Sequence, residues 1–252
     1  MHISSAVDTD LGRKEQNQDS ALLKHAFYQG EEIFLGIICD GLGGLAQGEL
    51  ASATVVKAFS QWFDTRLPLL LKKEEEADFT ADWLHLLEEL NQRISKYGKQ
   101  RKIMLGTTFT GLLLYKSQMH FVHIGDTRIY YLNQQVRQLT RDHTFVSREV
   151  RRGNMTPEEA KKSKRRNTLL QCVGASRHLL PQTGTSELKK GMYLLCSDGF
   201  RHEITEGEML HYYNPYRELD EEVLHRANQH LIGLAKARKE IDNITVMAVH
   251  VK

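Results

Sequence analysis

The chain has 252 residues, 40% hydrophobic and 26% charged, the balance of an ordinary globular protein with a sizeable core. A formal net charge of +2 gives no global attraction to nucleic acid or to an anionic membrane. Three cysteines, Cys39, Cys172 and Cys196, stand far apart with no CxxC pair, which speaks for buried reduced thiols in a cytoplasmic protein and against a zinc site. The opening MHISSAVDTD does not read as a signal peptide, and the longest apolar runs are far too short to span a bilayer.

The first long apolar run is Ile33–Cys39, nearly continuous, as in a strand covered on both faces. It stops at "CDGLGG", where a carboxylate, Asp40, is followed at once by glycines. Glu49–Phe63 places Ala51, Val55, Phe59 and Trp62 on one helical face. Thr80 is placed to cap a second helix with the apolar stripe Trp83, Leu87, Leu90 and Ile94. Strands are predicted at Thr107–Tyr115, Gln118–Ile124 and Arg128–Leu132 from their apolar, β-branched and aromatic content. Thr156-Pro157-Glu158-Glu159 is a capping box with proline at the first helical position. A strand at Met192–Ser197 precedes Thr205-Glu206-Gly207-Glu208, a weaker repeat of the capping pattern. A helix over about Asp220 to Lys239 and a strand at Ile244–Val251 close the series. This order is α+β, not a regular βαβ alternation. With four prolines, no low-complexity linker and no internal repeat, one domain over 1–252 is expected.

Acids recur at the edges of the apolar runs. Asp40 and Asp198 ("LLCSDGF") share one form: apolar strand, carboxylate, glycine. Asp126 ("HIGDTR") follows another run, Asp242 ("DNITV") precedes one, and Asp19 stands early in "NQD". Taken singly, each is read more simply as a turn or cap residue, since Asp-Gly is a common turn signal. If they converge on one rim of a sheet sandwich, crowded carboxylates need protons or a cation to coexist. Oxygen donors without clustered cysteine or histidine favour Mg²⁺ or Mn²⁺ over zinc. Gly41, lacking a side chain, lets its carbonyl approach a metal.

In order along the chain stand "NQDS", "CDGLGGLAQGELAS", "LGTTFT", "HIGDTRIYYLNQQVRQLTRDHT", "CSDGF" and "DNITVMAVHV". This ordered set, from Ala6 to Val251, resembles the metal-dependent protein phosphatases of the protein phosphatase 2C family in their compact bacterial form. The resemblance implies a central antiparallel β-sandwich flanked by helices on both sides, with a dinuclear Mn²⁺ or Mg²⁺ centre at one end. By motif, Asp40 matches the bridging ligand and Gly41 lends its carbonyl. Asp198 and Asp242 match ligands of the other ion, and Asp126 with Asp198 those of a third, weaker ion. Asp19 matches an acid holding metal-bound water, and Asn243 a residue that orients its strand end. The implied reaction is hydrolysis of phosphoserine or phosphothreonine by a metal-bound hydroxide attacking in line, without a phospho-enzyme. Phosphorylated protein substrates, a partner serine/threonine kinase, a monomeric state and a cytoplasmic location go with it.

Three departures from the pattern matter. Counting back from Asp19, the position where the family places a phosphate-gripping arginine holds Lys14, in a segment one residue short. Either Lys14 acts as a point charge or Arg13 swings in, and lysine lacks the bidentate fork of arginine. Leu42 stands where animal members often have a histidine, so no side chain there can protonate the leaving oxygen. Gln18 replaces a frequent glutamate.

Among the 12 histidines, His120 and His123 point to opposite strand faces, and His143 is read as packing. His202, just after "SDGF", is the one near the expected rim. The basic run 161–166 falls in the stretch 145–167 that corresponds to the family's flap. It suits either acidic substrates or a solvated helix end. Two other readings stay open on the residues alone: a phosphoprotein-binding pseudophosphatase, and a structural domain whose acids are turn residues.

Overall fold

The computed structural model describes residues 2–42, 47–73 and 78–252. Among the described residues ten strands form two five-stranded sheets, antiparallel in every pairing. The strands are β1 (Ile3–Asp10), β2 (Asp19–Tyr28), β3 (Glu31–Asp40), β4 (Phe109–Tyr115), β5 (Gln118–Ile124), β6 (Arg128–Leu132), β7 (Val136–Gln138), β8 (Gln182–Glu187), β9 (Gly191–Cys196) and β10 (Ile244–Val251). One sheet has the order β1-β10-β9-β6-β7, the other β2-β3-β4-β5-β8.

The sheets face each other across Phe34, Ile38, Leu112, Leu114, Ile129, Leu195, Met247 and Val249. Their outer faces are buried as well. Ile33, Leu35, Ile37 and Cys39 of β3 pack with Val55 and Phe59 of α1 (Gly48–Gln61) and with Trp83, Leu87, Leu90 and Ile94 of α3 (Phe79–Arg101). Leu194, Cys196, Val246 and Ala248 pack with Leu224 and Leu231 of α8 (Glu221–Ala237). A strand with a buried residue on each face has no polar side to show, hence the continuous apolar run of β3. The α+β sandwich with helices on both sides is as expected.

Several details differ from the sequence reading. Asp78, not Thr80, caps α3, its carboxylate accepting from the Ala81 N–H at 2.9 Å. The first helix continues past Phe63 through a π-helical turn, Trp62–Arg66, into α2 (Leu67–Leu71). Thr107 makes isolated bridges to Gly41 and Val173 ahead of β4. Both capping boxes are complete, on α5 (Pro157–Lys162) and on α7 (Glu206–Tyr212). The strands β1, β2, β7 and β8 were not foreseen; β2 is only half buried and β8 mostly exposed and polar. The three cysteines are free and buried.

Candidate active site

The β-connections gather the five acids at one end of the sandwich. Asp19 opens β2 and Asp40 closes β3; the two are direct cross-strand partners. Asp126 lies in the turn between β5 and β6. Asp198 follows β9 and begins α6 (Asp198–Arg201), and Asp242 immediately precedes the Asn243–β10 corner. Antiparallel pairing brings the start of β2 and the end of β3 to the same rim, while the β2–β3 and β4–β5 hairpins turn at the opposite end.

The backbone of Asp40 is held by the "GTT" segment. Its N–H donates to Thr108 Oγ1 at 2.8 Å, and its carbonyl accepts from the Thr108 N–H at 2.8 Å and Thr107 Oγ1 at 3.0 Å. Gly41 is required by crowding: a Cβ there would lie 2.4 Å from the Gly48 carbonyl oxygen and 2.8 Å from that of Gln18. Gly43 and Gly44, the remaining glycines of that stretch, lie outside the described residues.

Asn243 ties the N-terminal loop to the rim. Its Oδ1 accepts from the Gln18 N–H at 2.9 Å, and its Nδ2 donates to the carbonyls of Leu11 (2.9 Å) and Gln16 (3.1 Å). That loop carries Lys14, whose Nζ lies 3.2 Å from Asp242 Oδ1. Gly12, at φ +63°, permits this approach, since a Cβ there would lie 1.9 Å from the Asp242 carbonyl oxygen.

A cleft of about 850 Å³ opens over Asp40, Gly41, Asp126, Asp198, Asp242 and Lys14. Leu42 also lines it, while Arg13 and His202 do not. Asp19 stands behind the cleft wall, its carboxylate accepting from Thr245 Oγ1 at 2.6 Å.

Burial first, and then the mutual repulsion of these acids, controls their protonation. Burial and the charges of Asp19, Asp198, Asp126 and Asp242 push Asp40 well above the usual carboxylate range. Burial also lifts Asp19, to about 7, against hydrogen bonds from Thr245 and Ser197 and with help from Asp198 and Asp242. Asp126 rises to about 7 through burial and Asp198, opposed by Arg201. Burial raises Asp198, partly offset by His202 and Arg201. Buried acids that cannot all ionise are the condition a polyvalent cation relieves.

The fit of such a cation rests on Asp198: its Oδ1 is buried and has no hydrogen-bond partner, which strands a strong acceptor beside the other acids. Among the described residues no three acids, histidines or cysteines stand arranged to enclose one ion by themselves. Asp242 is engaged by Lys14, Asp126 by Arg201 and Asp19 by Thr245. A hard cation that keeps several waters and takes one or two carboxylates matches this donor set; a dehydrated, fully enclosed ion does not.

Sequence reasoning passed over the ionic frame under the rim. Arg128 holds Asp142 bidentately at 2.8 and 2.7 Å, and burial notwithstanding, that pair keeps Asp142 below its ordinary value. Arg201 bonds Asp126. His202 lies 3.5 Å from Glu240 and 4.0 Å from Asp198. Of these, Arg128 in "GDTR", Asp142 in "TRDHT" and His202 beside "SDGF" carried a signal in the sequence. His123 is fully buried against Thr110, and His143 bonds the Gly125 backbone, so neither faces the cleft. From the basic run, Lys161 and Arg166 line a second cavity of about 690 Å³ that shares Asn167 and Asp242 with the cleft.

The profile described as Protein phosphatase 2C matches residues 9–240. The chain belongs to the protein phosphatase 2C family. That makes it a protein-serine/threonine phosphatase by family. Protein phosphatase PhpP of Streptococcus pneumoniae is 30% identical over 246 residues, 96% of this chain and 94% of that one. The structure of the Streptococcus agalactiae serine/threonine phosphatase superposes with a TM-score of 0.83 at 28% identity, covering 100% of both chains. The catalytic domain of the serine/threonine protein phosphatase PstP, solved with two manganese ions, superposes with a TM-score of 0.78 at 28% identity, covering 98% of this chain and 97% of that one. No helix among the described residues is long and apolar enough to cross a membrane.

Proposed function

We propose that the chain is a metal-dependent phosphatase whose single catalytic domain, over residues 1–252, hydrolyses phosphoserine and phosphothreonine esters of protein substrates. It works in the cytoplasm as a monomer and opposes a partner serine/threonine kinase. The observation that carries the reading is the partnerless, buried Asp198 Oδ1 at the floor of an acid-lined cleft.

Two Mn²⁺ or Mg²⁺ ions suit this donor set. Asp40, the Gly41 carbonyl, Asp198 and Asp242, which share the cleft, would hold them. Bound there, such ions acidify water and polarise a phosphoryl oxygen. The chain's own residues do the rest. The Thr107–Thr108 backbone clamp fixes Asp40, so its carboxylate is oriented before substrate arrives. Asp19, held by Thr245, offers an acceptor for water at Asp40. Lys14, which lines the cleft, presents a point charge to the substrate phosphate; Arg13 is not among the lining residues. Leu42 supplies no proton, so the leaving oxygen takes its proton from water. Lys161 and Arg166 of the flap extend positive potential beside the cleft, suited to acidic or phosphorylated protein surfaces.

The test is hydrolysis of matched phosphothreonine and phosphotyrosine peptides with Mn²⁺ present. Turnover of the first with much slower turnover of the second is expected; equal rates would contradict the specificity.

A further inference from the structure

Asp126 is expected to serve a third, weaker ion, yet a cation of the chain's own already sits on it. Arg201 leaves α6 one helical turn after Asp198, which puts both side chains on the same helix face. Its Nη2 donates to Asp126 Oδ2 at 3.2 Å and its Nε to the Asp126 carbonyl at 3.3 Å, so one guanidinium grips both side chain and backbone. The contact is interior: the Arg201 side chain is 12% exposed and that of Asp126 9%. The other nearby carboxylate, Asp142, stands 3.9 Å from Arg201 and is already held by both arms of Arg128. The positive charge of Arg201 is therefore directed chiefly at Asp126.

From this geometry we infer that Arg201 takes the place of the third divalent ion at Asp126, leaving this chain a two-ion centre. Guanidinium stays protonated at any working pH, and its planar fork, unlike a hydrated metal, needs no exchangeable ligands. A divalent ion on Asp126 would have to share one carboxylate with a buried positive charge, and such repulsion is weakly screened in the interior. Arg201 is thereby a positioning residue. It neutralises Asp126, anchors the β5–β6 turn to the first turn after Asp198, and makes occupancy of the rim independent of a weak third site.

The inference rests on the metal-centre reading above, and the experiment separates their failures. Mn²⁺ bound by the full chain is counted by equilibrium dialysis with elemental analysis, and the ions are placed by anomalous diffraction at the manganese edge. Wild-type protein is expected to hold two ions, neither on Asp126. Arg201→Ala is expected to hold three, with the additional ion on Asp126. Arg201→Lys, which keeps the charge, stays at two. Arg201→Met preserves the packed stem and carries the same expectation as alanine should the alanine variant fail to fold. A third ion on Asp126 in the wild type overturns the inference, as does a count that stays at two in the folded uncharged variants. No Mn²⁺ bound to wild-type protein removes the metal centre and this inference together.

Discussion

Asp19 and Asp40 are direct partners across the β2–β3 ladder, two carboxylates facing one another at the last paired position of adjacent strands. Like charges placed opposite in a sheet destabilise it, by roughly 0.2–1 kcal/mol even where solvent screens them. Here the cost is concentrated by Asp126, Asp198 and Asp242 at the same rim, and it is the repulsion a polyvalent cation would relieve.

Replacing one of the crowded acids separates stability from activity. Asp40→Asn and Asp198→Asn are each expected to abolish Mn²⁺-dependent hydrolysis while the fold persists. In metal-stripped protein Asp40→Asn is expected to be as stable as wild type or more so by about 1 kcal/mol, because it removes a repulsion. Chemical denaturation beside a turnover assay checks both, and undiminished turnover in both variants would contradict the assignment.

The pH dependence of metal-stripped protein follows from the raised acids. Asp19 and Asp126 titrate near 3.8 when unfolded and about 7 when folded. Below the lower value both states are protonated, and the full stability is present. Between about 4 and about 7 the unfolded chain ionises while the folded one resists, so stability falls as pH rises through that window. Thermal melts in chelator at pH 5 and pH 7.5 are expected to show a lower midpoint at the higher pH, and saturating Mn²⁺ to restore it. A midpoint that rises across this window in chelator would contradict the repulsion.

Lys14 is a cation that lines the cleft with Arg177, and it stands 3.2 Å from Asp242. Lys14→Ala is expected to raise KM about tenfold or more, the size of a lost charge-assisted hydrogen bond, with a smaller change in kcat. An unchanged KM would move phosphate binding elsewhere.

Asn243 carries three hydrogen bonds to the loop that presents Lys14 and Asp19. Asn243→Ala leaves those backbone groups short of partners, and a loss of about 2–3 kcal/mol is expected by denaturant titration. Because the loop also loses its register, KM is expected to rise with it; a variant as stable as wild type would show that the loop is held by other contacts.

The sheets were legible where strands are covered on both faces. The continuous runs of β3, β9 and β10 announce themselves, and the helical stripes of Val55–Phe59 and Trp83–Ile94 point at the same core. Edge strands were not legible. The residues of β8, QTGTSE, carry no apolar period because that strand has little to bury, and β2 is held by pairing with β3 more than by its own composition. The five rim acids could be singled out because each stands at the edge of an apolar run. Arg201 and Glu240 could not, since they become neighbours of the site only through folding. Thr80 looked like a cap because it precedes the apolar stripe, yet Asp78 reaches the free Ala81 N–H two residues earlier.

The most direct measurement is turnover of a phosphothreonine peptide by metal-stripped protein, with Mn²⁺ or Mg²⁺ then added back. The expected result is negligible hydrolysis in chelator and hydrolysis restored by either ion. Turnover that is unaffected by chelation, or absent at saturating metal, would contradict a metal-dependent phosphatase at Asp40 and Asp198.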